Sequence, residues 1–590
     1  MPCHYNVAKL ATLLSAICGA WAKTVTVTNG TIQGGICDTS TANAFLGIPY
    51  ALPPVGDLRL AAPKPYNKKY DGMLDATAQP PSCIQFGLDY VETGKQSEDC
   101  LYLDVWVPAT ADKNSKLPVK VWLYGGSNEG GSISDPLYGG CNSAADSIAV
   151  SVNFRLGPLG FLAYPDAGIT GNYGIQDQIL ALRWVQEEIS SFGGDPDKVL
   201  LFGQSSGAMD SYLLGSLPQA PSLFRAVALE SGGGRDSPSV ADTKPVYAEY
   251  IRSLNCSLDD ALDCIRDASV TTLNQTTISL DTSGGNVLGA ETFLEGNGSG
   301  NAWLAVVDGE IVPKNPASVG LRVPAIIGSN SNDGSLDVLS QYTTNVLNIT
   351  RADYYEFLEN SFGPLAATVN ETYPWSAFVA ASPVPGFSAM TTVITDYAYK
   401  CPAYRALQKA AANGIDAWAY NFNHTPSCAW YNGIPESAVA LELLGATHTS
   451  EIPFVLGWTS KLPRPGGSCN FTAPEVAISE FMVGAWTSMA ADGRPANSSV
   501  WPAWTANGST GITVSESVTA GSLDYSECEF WDKIQAGVLE LDAKVAANAT
   551  SNAPSSVATS KLSPTSGNDG FRVSTGAGLG LTLLLSIYMM

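Results

Sequence analysis

The run Val199-Leu200-Leu201-Phe202-Gly203-Gln204-Ser205-Ser206-Gly207-Ala208 joins an apolar stretch to a segment of helical character through the pattern Gly-x-Ser-x-Gly. A sharp strand-to-helix turn of this kind holds the serine side chain out of the sheet, and the glycines are needed because side chains there would collide with neighbouring backbone. Ser205 is therefore the candidate nucleophile; choosing Ser206 would break the glycine spacing. A serine hydroxyl is a weak nucleophile at neutral pH and needs an imidazole to take its proton, with a carboxylate to fix the imidazole tautomer. The chain holds 3 histidines. His4 lies in an N-terminal segment expected to be removed, which leaves His424 or His448 as the base. His424 ends an apolar run, whereas His448 sits in Gly445-Ala446-Thr447-His448-Thr449, a small polar loop suited to presenting a side chain.

Such groups need a rigid frame, and the apolar runs supply it. Segments 119–124, 148–153, 199–202, 226–229, 324–328 and 417–422 are apolar and β-rich and read as strands. Between the second and third, Ile175, Ile179, Leu182, Val185 and Ile189 recur three or four apart and mark one apolar face of a helix. Buried strands alternating with amphipathic helices predict an α/β fold around a large, mainly parallel central sheet flanked by helices. In such sheets the functional groups sit on loops at the strand ends. No tandem repeat, long linker or second low-complexity tract divides the body, which predicts one large catalytic domain over 23–545.

The 590 residues carry 31 Lys and Arg against 55 Asp and Glu, a formal net charge of -24 at pH 7. So acidic a surface repels phosphate backbones and argues against a nucleic-acid partner. With 45% hydrophobic and 15% charged residues, the chain can bury a large core. Lys9, the apolar stretch 10–21 and the small-residue pattern Ala20-Trp21-Ala22 have the layout of a secretory signal, 1–22, cleaved after Ala22. Removing Cys3 and Cys18 with it leaves 12 − 2 = 10 cysteines, an even number, so disulfides are expected. Sequons at Asn29, Asn255, Asn274, Asn297, Asn348, Asn370, Asn470, Asn497, Asn507 and Asn548 fit export and would then be surface sites. The segment 546–568 is a Ser/Thr-rich stalk, too poor in large apolar residues to offset its ordering entropy. Small residues 566–570, a short spacer and the terminal apolar run 579–590 follow the order of a GPI-attachment signal, with Asn568 the preferred ω site and 569–590 removed. The run is short of the roughly 20 residues of a membrane-spanning helix. The expected localisation is therefore secreted, anchored by lipid to the plasma membrane or cell wall. No Cys or His cluster has metal-ligand spacing and no cofactor fingerprint is present, so no metal or cofactor is expected.

Several ordered segments together resemble the type-B carboxylesterase and cholinesterase-like family of α/β-hydrolases. They are Ser97-Glu98-Asp99-Cys100-Leu101-Tyr102-Leu103-Asp104-Val105, Phe202-Gly203-Gln204-Ser205-Ser206-Gly207, Phe45-Leu46-Gly47-Ile48-Pro49-Tyr50-Ala51, Asn153-Phe154-Arg155-Leu156-Gly157, Gly171-Asn172-Tyr173-Gly174, Asp177-Gln178 and Val307-Asp308-Gly309. The resemblance spans about Thr24 to Trp531 and implies an α/β-hydrolase fold. It implies Ser205 as nucleophile, His448, followed by Glu451-Ile452-Pro453-Phe454, as base, and Asp333 as acid, with Asp337 the fallback. The family's acid is more often a glutamate; aspartate is one methylene shorter, so its loop must approach His448 more closely. His424 lies on a segment similar to the family's but not at the catalytic position, and the sequon at Asn423 beside it reads as too buried to be glycosylated.

By position the resemblance also assigns the oxyanion donors to the backbone N–H groups of Gly126, Ser127 and Ser206, each such donor contributing about 3 to 4 kcal/mol. Ser127 departs from three successive glycines, and its Cβ restricts the loop. The resemblance implies disulfides Cys83–Cys100 and Cys256–Cys264, leaves the pairing of Cys37, Cys141, Cys401, Cys428, Cys469 and Cys528 open, and implies a structural Glu98–Arg155 ion pair. The loop from Cys83 to Cys100 contains no Trp, and Gln204 stands where cholinesterases keep an acid, so recognition of a quaternary ammonium is unsupported. That loop also corresponds to the family's lipase lid and is short. The expected activity is general ester hydrolysis on a small-molecule ester, ahead of a lipase of the same family or an inactive, esterase-like surface binding or adhesion protein.

Overall fold

The computed structural model describes residues 23–537 apart from 40, 87–93, 283–302, 343–344, 432–433, 435–436, 465–466, 496–498 and 507. The signal 1–22, most of the C-terminal segment, Asn568, and the sequons at Asn297, Asn497, Asn507 and Asn548 lie outside the described residues. The strands are β1 Thr24–Val27, β2 Gly30–Ile36, β3 Ala42–Pro49, β4 Met73–Ala76, β5 Tyr102–Pro108, β6 Leu117–Leu123, β7 Ile148–Val152, β8 Gly194–Gln204, β9 Ala226–Glu230, β10 Ala325–Asn330, β11 Ala417–Phe422, β12 Leu462–Arg464, β13 Gly467–Cys469, β14 Thr510–Val514 and β15 Val518–Ser522.

All except β12 and β13 join one 13-stranded sheet in the order β1-β2-β3-β5-β7-β6-β8-β9-β10-β11-β14-β15, with β4 beside β2. From β7 through β14 the neighbours run parallel, while β1, β2, β3 and β5 at one side and β15 at the other are antiparallel. The parallel centre follows from residue type: β7, β9 and β10 are buried along their whole length and must be covered on both faces. Helices Tyr173–Glu188, Ser206–Ser216, Cys401–Ala412 and Ala473–Asp492 provide cover, the second packing on β8 and β9 and the last on β6, β8 and β9. Trp122, fully buried on β6, packs against Tyr138 and Phe202. Burying an aromatic of this size contributes about 1.5 to 3 kcal/mol. Among the described residues no single helix is long and apolar enough to cross a membrane.

Five disulfides staple the frame. Cys83–Cys100 and Cys256–Cys264 are bonded, and the pairs left open are Cys37–Cys141, Cys401–Cys528 and Cys428–Cys469. Three expectations need correction. Glu98 and Arg155 do not pair with each other: Glu98 takes the fork of Arg59, while Arg155 Nε and Nη2 reach Asp177 at 2.8 and 2.7 Å. Asp177 is completely buried, and an enclosed carboxylate needs a bidentate guanidinium more than the partly exposed Glu98 does. Asn29 is buried and its side-chain amide donates to the carbonyls of Tyr66 and Lys68, so it is no surface sequon. Asn423, by contrast, is exposed: it lies just past β11, where its N–H donates to the Val514 carbonyl at 2.7 Å.

Candidate active site

Ser205 follows β8 directly and precedes the helix Ser206–Ser216, with φ 56° and ψ −126°. A non-glycine residue there is strained by about 1 to 3 kcal/mol and persists only where its surroundings over-determine it. They do so here. The Ser205 N–H donates to the Glu230 carbonyl at 2.9 Å, and its own carbonyl accepts from Ala208 and Met209. A Cβ on Gly203 would meet Gly207 and the Leu123 carbonyl at 2.6 Å, and a Cβ on Gly207 would meet that same carbonyl at 2.2 Å. Those clashes are the physical reason for the Gly-x-Ser-x-Gly spacing. Ser205 is partly exposed, whereas the Ser206 hydroxyl is buried and accepts from the Asn128 N–H at 3.2 Å.

The acid arrives on the loop after β10, and the base on the loop after the helix Ala438–Leu444 that follows β11, the parallel neighbour of β10. The two loops are stitched together by a parallel bridge between Asn332 and Thr447. Asn332 N–H donates to the Ala446 carbonyl at 3.0 Å, and Asn330 Nδ2 to the Thr447 carbonyl at 2.8 Å. The closer approach that an aspartate demands is thereby supplied. His448 Nδ1 lies 2.8 Å from Asp333 Oδ1, and Asp333 Oδ2 accepts from the Ser231 hydroxyl at 2.9 Å and the Asn330 N–H at 2.7 Å. Asp333 is fully buried, so this set of donors is what makes its charge tolerable.

Asp337 bonds to the Tyr399 hydroxyl at 3.1 Å rather than to the imidazole, and the Tyr399 ring packs 4.7 Å from the His448 ring. His424 is elsewhere in role: its Nε2 lies 3.3 Å from Glu475, the carboxylate that caps the helix Ala473–Asp492. Although burial would raise Glu475, its bonds to His424, Ser427 and Thr472 hold it down to about 2.

Their residue types alone do not mark Ser231 and Gln204 as partners of the acid and base. The one signal for Ser231 is position, since it directly follows β9, the strand beside the nucleophile's own. Gln204 Nε2 lies 3.2 Å from His448 Nε2 and 3.4 Å from Nδ1, so its amide faces the ring as a whole and not one nitrogen. With the Nδ1 proton directed at Asp333, Nε2 presents its lone pair, the atom a base needs free to accept from a serine.

Burial lowers the His448 pKa, but the Asp333 hydrogen bond and the charges of Asp333, Asp337 and Glu451 together raise it above its ordinary value. Activity that needs the neutral ring is then lost as pH falls through a midpoint above about 6.5. Gln204→Glu would place a carboxylate against the imidazole and favour the protonated ring further. The acid limb of kcat/KM should move to higher pH in that variant; an unmoved or lower limb would contradict the assignment of His448 as the titrating base.

The loop after β6 lies directly on the nucleophile: a Cβ on Gly125 would meet Ser205 Cβ at 2.9 Å. Gly126 has φ 120°, and Ser127 and Asn128 follow in the left-handed region at 59° and 55°. The loop thus accommodates Ser127 in the conformation that its Cβ disfavours, at about 1 to 2 kcal/mol. Gln85 holds its far end from the Cys83–Cys100 loop, accepting from the Gly131 N–H at 2.7 Å and donating to the Gly131 carbonyl at 3.0 Å. Among the described residues no group of three or more His, Cys, Asp or Glu is placed to hold a metal ion.

A partly exposed serine on an elbow, whose neighbour Gln204 touches the histidine of a histidine–aspartate pair and whose Cβ faces a glycine-rich loop, is an arrangement suited to acyl transfer. Comparison with known proteins agrees. Para-nitrobenzyl esterase of Bacillus subtilis (strain 168) is 32% identical over 501 residues, 80% of this chain and 90% of that protein. Cholinesterase of Mus musculus is 31% identical over 540 residues, 85% and 84% of the two chains, and acylcarnitine hydrolase of the same species 30% over 518 residues, 80% and 84%. Residues 22–531 match the family model described as the carboxylesterase family, and with that match, these relatives and the α/β-hydrolase sheet, the chain belongs to the carboxylesterase family and is a carboxylic ester hydrolase.

Proposed function

We propose that this hydrolase is a secreted serine esterase that works through an acyl-enzyme on Ser205, with His448 as base and Asp333 as the acid that orients it. The observation that carries the reading is the 2.8 Å His448–Asp333 bond beside a nucleophile elbow. His448 Nε2 takes the proton as Ser205 Oγ attacks the ester carbonyl, and the N–H groups of Gly126, Ser127 and Ser206 receive the oxyanion. Collapse expels the alcohol, which leaves with the proton from His448, and water repeats the sequence to release the acid. The substrate is a small-molecule ester, and no metal or cofactor enters these steps.

The domain limits proposed are a signal 1–22, a catalytic domain 23–545, a stalk 546–568 and a GPI-attachment propeptide 569–590. Five disulfides support an oxidising destination. The test of activity is hydrolysis of nitrophenyl esters of graded acyl length, below and above their solubility limits. Saturation on dissolved short esters is expected. A jump at the solubility limit would instead mark a lipase, and no turnover of any ester would mark a binding or adhesion protein. Treating intact cells with phosphatidylinositol-specific phospholipase C should release the protein, and retention would sink the anchor.

A further inference from the structure

We propose that Asp210 is a positioning residue for ester hydrolysis, holding through Asn128 the loop whose Gly126 and Ser127 receive the oxyanion; this rests on the reading of the site given above. Asp210 lies in the helix that Ser205 initiates and is 3% exposed. Its Oδ2 accepts from Gln178 Nε2 at 2.6 Å, and its Oδ1 from Asn128 Nδ2 at 3.5 Å. Gln178 belongs to the helix Tyr173–Glu188 and Asn128 to the loop after β6. Three separate segments therefore meet at one carboxyl.

Asn128 is the residue through which the strained loop is held. It follows Ser127 in the left-handed region, which asparagine tolerates but which opposes Ser127 by about 1 to 2 kcal/mol. Its N–H donates to Ser206 Oγ at 3.2 Å, and its carbonyl accepts from the Gly157 N–H at 2.6 Å. Those bonds fix its peptide, while Asp210 fixes its side chain. Asn128 Oδ1 and Gln178 Oε1 are both buried without a hydrogen-bond partner. A carboxyl that keeps its proton can donate to either of these oxygens once the amide turns over. Burial pushes Asp210 up to about 7, which makes that protonated form accessible. A group able to donate or accept at the junction clamps the loop in both states, and an apolar side chain would leave two amides unpaired.

The experiment compares Asp210→Ala and Asp210→Asn in the full-length enzyme, measuring kcat and KM on a nitrophenyl ester and Ki for a trifluoromethyl ketone, which forms a tetrahedral adduct. A displaced oxyanion loop lowers kcat and weakens the ketone together. Asp210→Ala should lose about tenfold or more in kcat with KM within about twofold, and Ki should rise by the same factor. Asp210→Asn, which can still donate and accept, should recover most of both. Loss of kcat with Ki unchanged, loss in proportion only to the folded fraction, or no loss at all would overturn the proposal. Should Asp210→Ala fail to fold, Asn128→Ala is read by the same ratio. Wild-type enzyme that shows neither a burst of product nor labelling of Ser205 by a fluorophosphonate would overturn the site reading itself, before any Asp210 variant is compared.

Discussion

Ser205→Ala should lower kcat on an activated ester by about a million-fold and abolish labelling by a fluorophosphonate. A loss of that size is about 8 kcal/mol of barrier, more than any rearrangement of a single binding contact supplies. The variant is a clean one. Alanine keeps the Cβ that the elbow already accommodates at φ 56°, and the backbone bonds to Glu230, Ala208 and Met209 do not involve the hydroxyl. The melting temperature should therefore stay near that of the parent while turnover disappears. Equal labelling of parent and variant, or residual turnover within tenfold of the parent, would remove Ser205 as nucleophile.

Asp333→Asn should cost about ten-thousand-fold in kcat, and the hydrogen bonds dictate why. Asp333 Oδ2 accepts from Ser231 Oγ and from the Asn330 N–H, and the backbone donor cannot rotate away. An asparagine must turn its oxygen to that side, which leaves its NH2 facing His448 Nδ1 where Oδ1 stood at 2.8 Å. The ring then has to accept at Nδ1 and carry its proton on Nε2, the tautomer that cannot take a proton from serine. Binding should change little, since this pair lies behind the base. An Asn variant with near-parental kcat would mean that another carboxylate, Asp337 first, orients the imidazole.

The nucleophile was legible because its constraint is steric and local: two glycines that a methyl would drive into Leu123, Tyr124 and each other. Scarcity narrowed the base to two histidines. The choice between them, and the acid, came from resemblance, because nothing in the types of Asp333 and Asp337, four residues apart, says which carboxyl a loop will bring to the ring. The central parallel strands announced themselves as continuous apolar runs. The antiparallel side did not. β1 and β2, reading TVTV and GTIQGGI, are short, rich in Thr and Gly, and buried only at alternate positions. Ser231, Gln204 and Asp210 are ordinary polar residues in sequence, and their roles come from partners such as Asp333, 102 residues from Ser231. Glu98 and Arg155 show the limit from the other direction: both find ion pairs, but burial, not motif, decides with whom.

The bridge from Asn332 to Thr447 makes the acid and the base one mechanical body, while the serine enters on β8 with β9 lying between it and the acid's strand. On heating, the expected order is loss of the nucleophile's contact with the base before loss of the base's bond to its carboxylate, read as falling fluorophosphonate labelling with an unmoved acid limb in the activity that remains. An ageing preparation would shed active molecules while the survivors keep the same titration midpoint, so failing activity in storage would reflect fewer assembled sites and not a weaker base.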